Sequence, residues 1–178
     1  MTIYLIRHGK TLANERRLYC GSTDLGLSEQ GREELNRIHF DISNVRFRTS
    51  GMKRANETME LLFPGVPYEQ DSRFREVDFG VFEMHSYEEL KERADYQAWL
   101  TGDNERNVPP GGESGEQMTA RVLSAYRGLT EDTCLVTHGG VIAAIMASLF
   151  PEEHKHRYQW QPQNGHGYRI TESGYEPI

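Results

Sequence analysis

Two apolar runs, TIYLI (residues 2–6) and TCLVT (133–137), lie at opposite ends of this chain, and each ends in a turn containing His-Gly. Continuous apolar runs bounded by polar turns read as strands buried on both faces, the habit of a parallel sheet. Parallel neighbours need long crossovers, and helix-like segments alternate with strand-like ones along the chain. The fold class expected is therefore α/β: a three-layer α/β/α sandwich with a mostly parallel central sheet and a small helical lobe. Open sheets of this kind bind ligands outside the carboxyl ends of their strands. Arg7 and His8 fall at such an end, and Gly9 lets the backbone turn tightly beside them. On this stretch alone, a surface arginine and a hydrogen-bonded turn histidine remain an equal alternative.

The segments between can be placed coarsely. A short helix near 11–16 precedes the loop RLYCGSTDLG, and Ser28 caps a helix expected over 29–39. VRFRTS (45–50) reads as a strand and 52–63 as a helix ended by Pro64-Gly65; PYEQDSRF (67–74) reads as a further, weakly patterned strand. Capping boxes at Ser86/Glu89 and Ser114/Gln117 open helices near 87–93 and up to about 128, with ADYQAWL a helical patch between them. GGVIAAIMASLF is an apolar helix stopped by Pro151, and HGYRITES is the last strand expected. The chain is expected to be one domain, 1–178, with a helical lobe inserted at about 86–129.

LIRHGKT and LVTHGGV match each other, so His8 and His138 could face one cavity. RTSGMKRANET supplies Arg54 in the first turn of the following helix. Two guanidinium groups and two imidazoles around one space, in a chain of net charge −7, suit a small anion, and planar arginine forks match phosphate oxygens. Backbone N–H groups at the helix starts would add donors.

These residues resemble the histidine phosphatase superfamily, in the branch containing cofactor-dependent phosphoglycerate mutases and small phosphatases. The motifs are Arg7-His8-Gly9-Lys10-Thr11 with Asn14, then Ser50 through Arg54-Ala55 to Thr58. Arg75-Glu76 with Phe79-Gly80, Gly112-Glu113-Ser114 and Thr137-His138-Gly139-Gly140 complete the set. The resemblance implies phosphoryl transfer through a phosphohistidine on His8, with Arg7 and Arg54 clamping the phosphoryl oxygens and His138 completing the pocket. By the same resemblance Glu76 is the proton donor, and Asn14, Thr23 and Gly139 line the phosphate or substrate site; no cofactor and no metal are implied. Nearby arginines favour the neutral imidazole that an attack requires, and a carboxyl facing a phosphate dianion is favoured protonated. The sequence departs from the family where Ser50-Gly51-Met52 replaces a common Ser-Pro-Leu and Phe82-Glu83-Met84 replaces Trp-Glu-Gly.

Other candidates have plainer readings. Glu83 shares the irregular segment with Glu76, and motif register selects Glu76. His154 and His156 form an HxH without an evident third ligand, so a solvated turn is preferred to a metal site. His39, His85 and His166 read as surface or capping residues. Cys20 is expected near the pocket mouth, and Tyr96, Trp99 and Leu100 read as packing of the lobe. Cys20 and Cys134 lack metal spacing and are expected as free thiols of a cytoplasmic protein. A pI near 5.5 disfavours nucleic acid and anionic membranes as partners, leaving a small phosphorylated substrate and a monomer or homodimer.

A mutase of this kind needs a lid and longer insertions, which favours hydrolysis here. YCGSTDLGLSEQGREEL is similar to α-ribazole phosphatases, so α-ribazole 5'-phosphate or a sugar phosphate is the expected substrate. The alternatives are a phosphoglycerate mutase-type transferase and a non-catalytic phosphate-binding protein.

Overall fold

The computed structural model describes residues 1–103 and 105–178. It has six strands in one mixed sheet and, among the described residues, seven α-helices. In chain order these are β1 (Ile3–Arg7), α1 (Leu12–Arg16), α2 (Glu29–Leu35), β2 (Arg46–Thr49), α3 (Lys53–Leu62) and β3 (Glu69–Gln70). Then come α4 (Tyr87–Leu90), α5 (Ala94–Leu100), α6 (Gly115–Arg127), β4 (Thr133–Thr137), α7 (Gly139–Leu149), β5 (Gly167–Thr171) and β6 (Gly174–Pro177). The sheet order is β3-β2-β4-β1-β5-β6. The first four of these strands are mutually parallel, while β5 runs antiparallel to β1 and β6 antiparallel to β5.

The two His-Gly strands are central neighbours, and side-chain alternation sorts them between two cores. Ile3, Leu5 and Leu135 face α6 and α7 with Val122, Ile142 and Ile145. Ile6, Cys134 and Val136 face α3 with Ala55, Met59 and Phe63. Helices on both faces of a mostly parallel sheet make the α/β sandwich that the alternation predicts.

Some boundaries differ from expectation. The strand expected over 67–74 pairs only at Glu69–Gln70, because the Asp71 carboxylate accepts from Arg73 N at 3.0 Å and starts a 3₁₀ turn at Ser72–Phe74. The helix expected to reach 39 stops at Leu35, where Arg37 and Ile38 tighten into i→i+3 turns on Glu34 and Leu35. The final strand is followed by a second one, β6, forming a hairpin that the sequence reading stopped short of. Within the segment 86–129, α6 packs into the main core through Met118 and Val122. Only α4 and α5 stand apart, around a small cluster of Phe82, Leu90 and Tyr96. Among the described residues, no helix is long and apolar enough to cross a membrane.

Candidate active site

Register places the two histidines side by side. Arg7 is paired with Thr137 across β1 and β4, so the next residues, His8 and His138, leave the sheet together. His8 N donates to Thr137 O at 2.9 Å, extending the ladder by one bond. The ring centroids are 5.2 Å apart, with planes at 60°. Gly9 packs closely here: a Cβ on it would lie 2.7 Å from Leu35 Cδ1 and would have to displace that side chain.

His8 is buried, and its Nδ1 lies 2.7 Å from Gly9 O. A carbonyl only accepts, so Nδ1 carries the proton and Nε2 keeps its lone pair. Burial, then Arg54 and Arg7, push this imidazole well below its ordinary pKa, which holds it neutral. His138 is fully buried and shifted the same way by burial, Arg54 and His8. Its Nε2 lies 2.8 Å from Ser50 Oγ, whose hydroxyl already accepts from Met52 N at 3.4 Å. The other ring nitrogen, Nδ1, is buried without a partner among the described residues. Arg7 Nε is a buried donor also left unpaired among them, although Arg7 Nη1 reaches Pro162 O at 2.8 Å.

Arg54, in the first turn of α3, is only 1% exposed. Its Nη1 donates to Thr23 O at 2.9 Å and its Nη2 to Gly21 O at 2.8 Å. Thr23 therefore offers the site its carbonyl as a tie to Arg54, while its hydroxyl donates to Glu83 at 2.8 Å. Asn14 Oδ1 accepts from Thr11 N and Oγ1 in the capping box of α1, and its amide NH₂ donates to nothing among the described residues. Gly139 begins α7 directly after His138.

Glu76 lies one step further out. Its Oε2 accepts from Gly140 N at 2.9 Å and its Oε1 from Val77 N at 3.0 Å. Glu76 lines a cleft of about 180 Å³ together with Tyr19, Phe79, Trp99 and Tyr158. Glu83, the rival carboxylate, accepts from the backbone N–H groups of Gly21, Ser22 and Phe79 and from the hydroxyl of Thr23. Its lone pairs are spent on holding the 21–23 loop beneath Arg54.

Three supporting residues were not legible as such in the sequence. Arg121, on α6, donates to the carbonyls of Arg73, Arg75 and Glu76 and pairs with Glu113. Its only signal was the spacing from Gly112-Glu113-Ser114. Ser50 supports His138 from the end of β2, and Trp99, read as lobe packing, also walls the cleft. Cys20 is half-buried with its thiol pushed up by burial, so it stays protonated. His154 is exposed and His156 caps a 3₁₀ turn; no group of three or more His, Cys, Asp or Glu able to hold a metal occurs among the described residues.

The arrangement is that of an α/β protein holding two buried histidines, a partly buried Arg7 and a buried Arg54 beyond the carboxyl ends of its central strands. The histidine phosphatase superfamily (branch 1) matches residues 3–177, and the chain belongs to that family. It is 31% identical over 162 residues to an adenosylcobalamin/alpha-ribazole phosphatase of Salmonella typhimurium, covering 84% of this chain and 79% of that one. It is 36% identical over 153 residues to a 6-phosphofructo-2-kinase/fructose-2,6-bisphosphatase of Gallus gallus, covering 82% of this chain but only 32% of that longer protein. The crystal structure of a phosphoglycerate mutase from Thermus thermophilus superposes with a TM-score of 0.78 at 29% identity, covering 100% of this chain and 96% of that one. The relatives are phosphatases and phosphoryl transferases, which supports phosphoryl chemistry in general.

Proposed function

We propose that the chain is a metal-independent phosphomonoesterase that works through a phosphohistidine on His8. The observation that carries this reading is the 2.7 Å contact from His8 Nδ1 to Gly9 O, which leaves a neutral, unprotonated Nε2 beside two arginines. Nε2 attacks phosphorus as the bond to the leaving oxygen breaks, and Glu76 gives that oxygen its proton. Water then attacks the phosphohistidine; the N–P bond breaks, His8 regains its lone pair, and the water proton passes to the Glu76 carboxylate. Arg7 Nε, a buried donor without a partner among the described residues, and His138 Nδ1, carrying the ring proton, donate to phosphoryl oxygens in this reading. Arg54 adds its charge, with Asn14, Thr23 and Gly139 around the phosphate. Such fixed donors stabilise a transferring phosphoryl group because they need no reorganisation as charge moves.

The substrate is a small phosphorylated metabolite, with α-ribazole 5'-phosphate and sugar phosphates as the relatives' chemistry suggests, acting in the cytoplasm. The test is phosphate release from p-nitrophenyl phosphate in excess EDTA, for the chain as written and for His8→Ala. Turnover that survives EDTA and vanishes in His8→Ala supports the reading. Turnover lost in EDTA, or retained in His8→Ala, overturns it.

A further inference from the structure

We propose that the cleft beyond Glu76 is a leaving-group subsite that takes a flat apolar or aryl alcohol and rejects alcohols bearing an anionic group. This rests on the phosphomonoesterase reading above. Glu76 lines the cleft together with the rings of Tyr19, Phe79, Trp99 and Tyr158, so an ester whose oxygen meets that carboxyl has its alcohol beside them.

The walls are aromatic and already shaped. Trp99 stands edge-on to Tyr19 and to Phe79, with centroids 5.8 Å and 6.2 Å away. Tyr19 spends its hydroxyl on Tyr96, at 2.6 Å, so it presents the cleft with a ring rather than a hydrogen-bond partner. Tyr158 closes the other side while 70% exposed, its ring stacked only on His156 among the described residues. A large exposed ring beside a cleft of rings gains most from a flat apolar guest, which stacks where a polyol would offer the rings no face.

Charge sharpens the choice. The cleft is lined by the carboxylates of Glu76, Glu105 and Glu113, and Arg157 is the one cation among its described lining residues. Arg157 is ion-paired with Glu105, and Glu113 with Arg121. A second phosphate or a carboxylate on the alcohol would find the one described lining cation already taken by Glu105 and would lose its water without gaining a counter-charge, which selects against it.

The experiment compares kcat/KM for 2-(2-naphthyl)ethyl phosphate, glycerol 3-phosphate, 3-phosphoglycerate and ethyl phosphate. All have alkyl leaving oxygens, which keeps leaving-group activation from dominating. The naphthyl ester should exceed glycerol 3-phosphate by at least about tenfold, and 3-phosphoglycerate should be slowest. Tyr158→Ala should lower the naphthylethyl-to-ethyl ratio about tenfold, chiefly through KM. Trp99→Ala should do the same, with its circular dichroism checked because Trp99 also packs the lobe. Equal rates for the naphthyl and glycerol esters, preference for 3-phosphoglycerate, or a ratio unmoved by Tyr158→Ala would overturn the subsite. If p-nitrophenyl phosphate is hydrolysed normally in that case, only the subsite fails. If it is not hydrolysed at all, the phosphomonoesterase reading fails first.

Discussion

His8 and His138 stand 5.2 Å apart at their ring centroids, and each commits one nitrogen to the protein while the other has no partner among the described residues. The two rings are held by different means, Gly9 O fixing one and Ser50 Oγ the other. His8 Nε2 keeps a lone pair, and His138 Nδ1 is buried without a partner among the described residues. Two imidazoles, each with one uncommitted nitrogen, are thereby set at adjacent strand ends.

Both imidazoles have pKa values depressed by burial and the arginines, from an ordinary 6.5. Above pH 6.5 the folded and unfolded chains both hold them neutral. Below it the unfolded chain takes up protons that the native site refuses, so stability falls as pH drops from 6.5 toward the native pKa values. The slope of Tm against pH over this range should flatten in His8→Gln. An unchanged slope would mean that His8 does not stay neutral in the fold. The acid limb of kcat/KM set by His8 should accordingly lie below pH 6.5.

Glu76→Gln should slow hydrolysis of alkyl phosphates about 10²–10⁴-fold, with a much smaller loss on p-nitrophenyl phosphate. The nitrophenolate leaves without needing a proton. Equal losses on both substrates would remove Glu76 from proton donation.

Glu83→Gln should behave differently, because that carboxylate ties down the loop at Gly21, Ser22 and Thr23. Weakening hydrogen bonds to a charged acceptor should lower stability by about 1–3 kcal/mol. Whatever activity is lost should be lost in similar proportion on alkyl and aryl substrates. Denaturant midpoints and the two-substrate ratio together check this.

Arg121→Met should resemble a weak Glu76 variant. Without its bonds to the carbonyls of Arg73, Arg75 and Glu76 the segment carrying the carboxyl loses its support. The expected result is a selective fall in kcat on alkyl phosphates, with partial rescue by Arg121→Lys. A loss of stability with an unchanged substrate ratio would make the contact purely structural.

Met84 occupies φ +61, in the left-handed region that favours glycine. It is also a position where the sequence departs from Trp-Glu-Gly. Met84→Gly should raise stability by up to about 1 kcal/mol, the relief of αL strain outweighing the added freedom of the unfolded chain. A lower denaturant midpoint in the variant would count against strain at this turn.

The central strands and the paired His-Gly endings were plain in the sequence because β1 and β4 are largely buried, and such positions select apolar residues in an unbroken run. β3 was overdrawn because its pattern is weak: both of its residues are exposed, and a single Asp71 side chain ends it. β6 was missed because GYEP has little apolar character and depends on pairing with β5. Among the candidate residues, those at strand ends and helix starts could be read from local pattern. Glu83 as a loop anchor, Arg121 as a clamp and Ser50 as partner to His138 depend on contacts between residues far apart in sequence, which no local spacing encodes.

β1 lies between β4 and β5, so Ile3 finds its neighbours only at Thr133 and Ile170. The strand that leads into His8 is thus an interior strand whose partners come late in the chain. Such long-range pairing closes large loops before any bond compensates, and it slows assembly. A fragment ending before Thr133 would carry the Arg7-His8-Gly9 turn intact, yet it would have no sheet to hold that turn and no second histidine to face it. Integrity of the His8 site thus reports that both halves of the chain have come together.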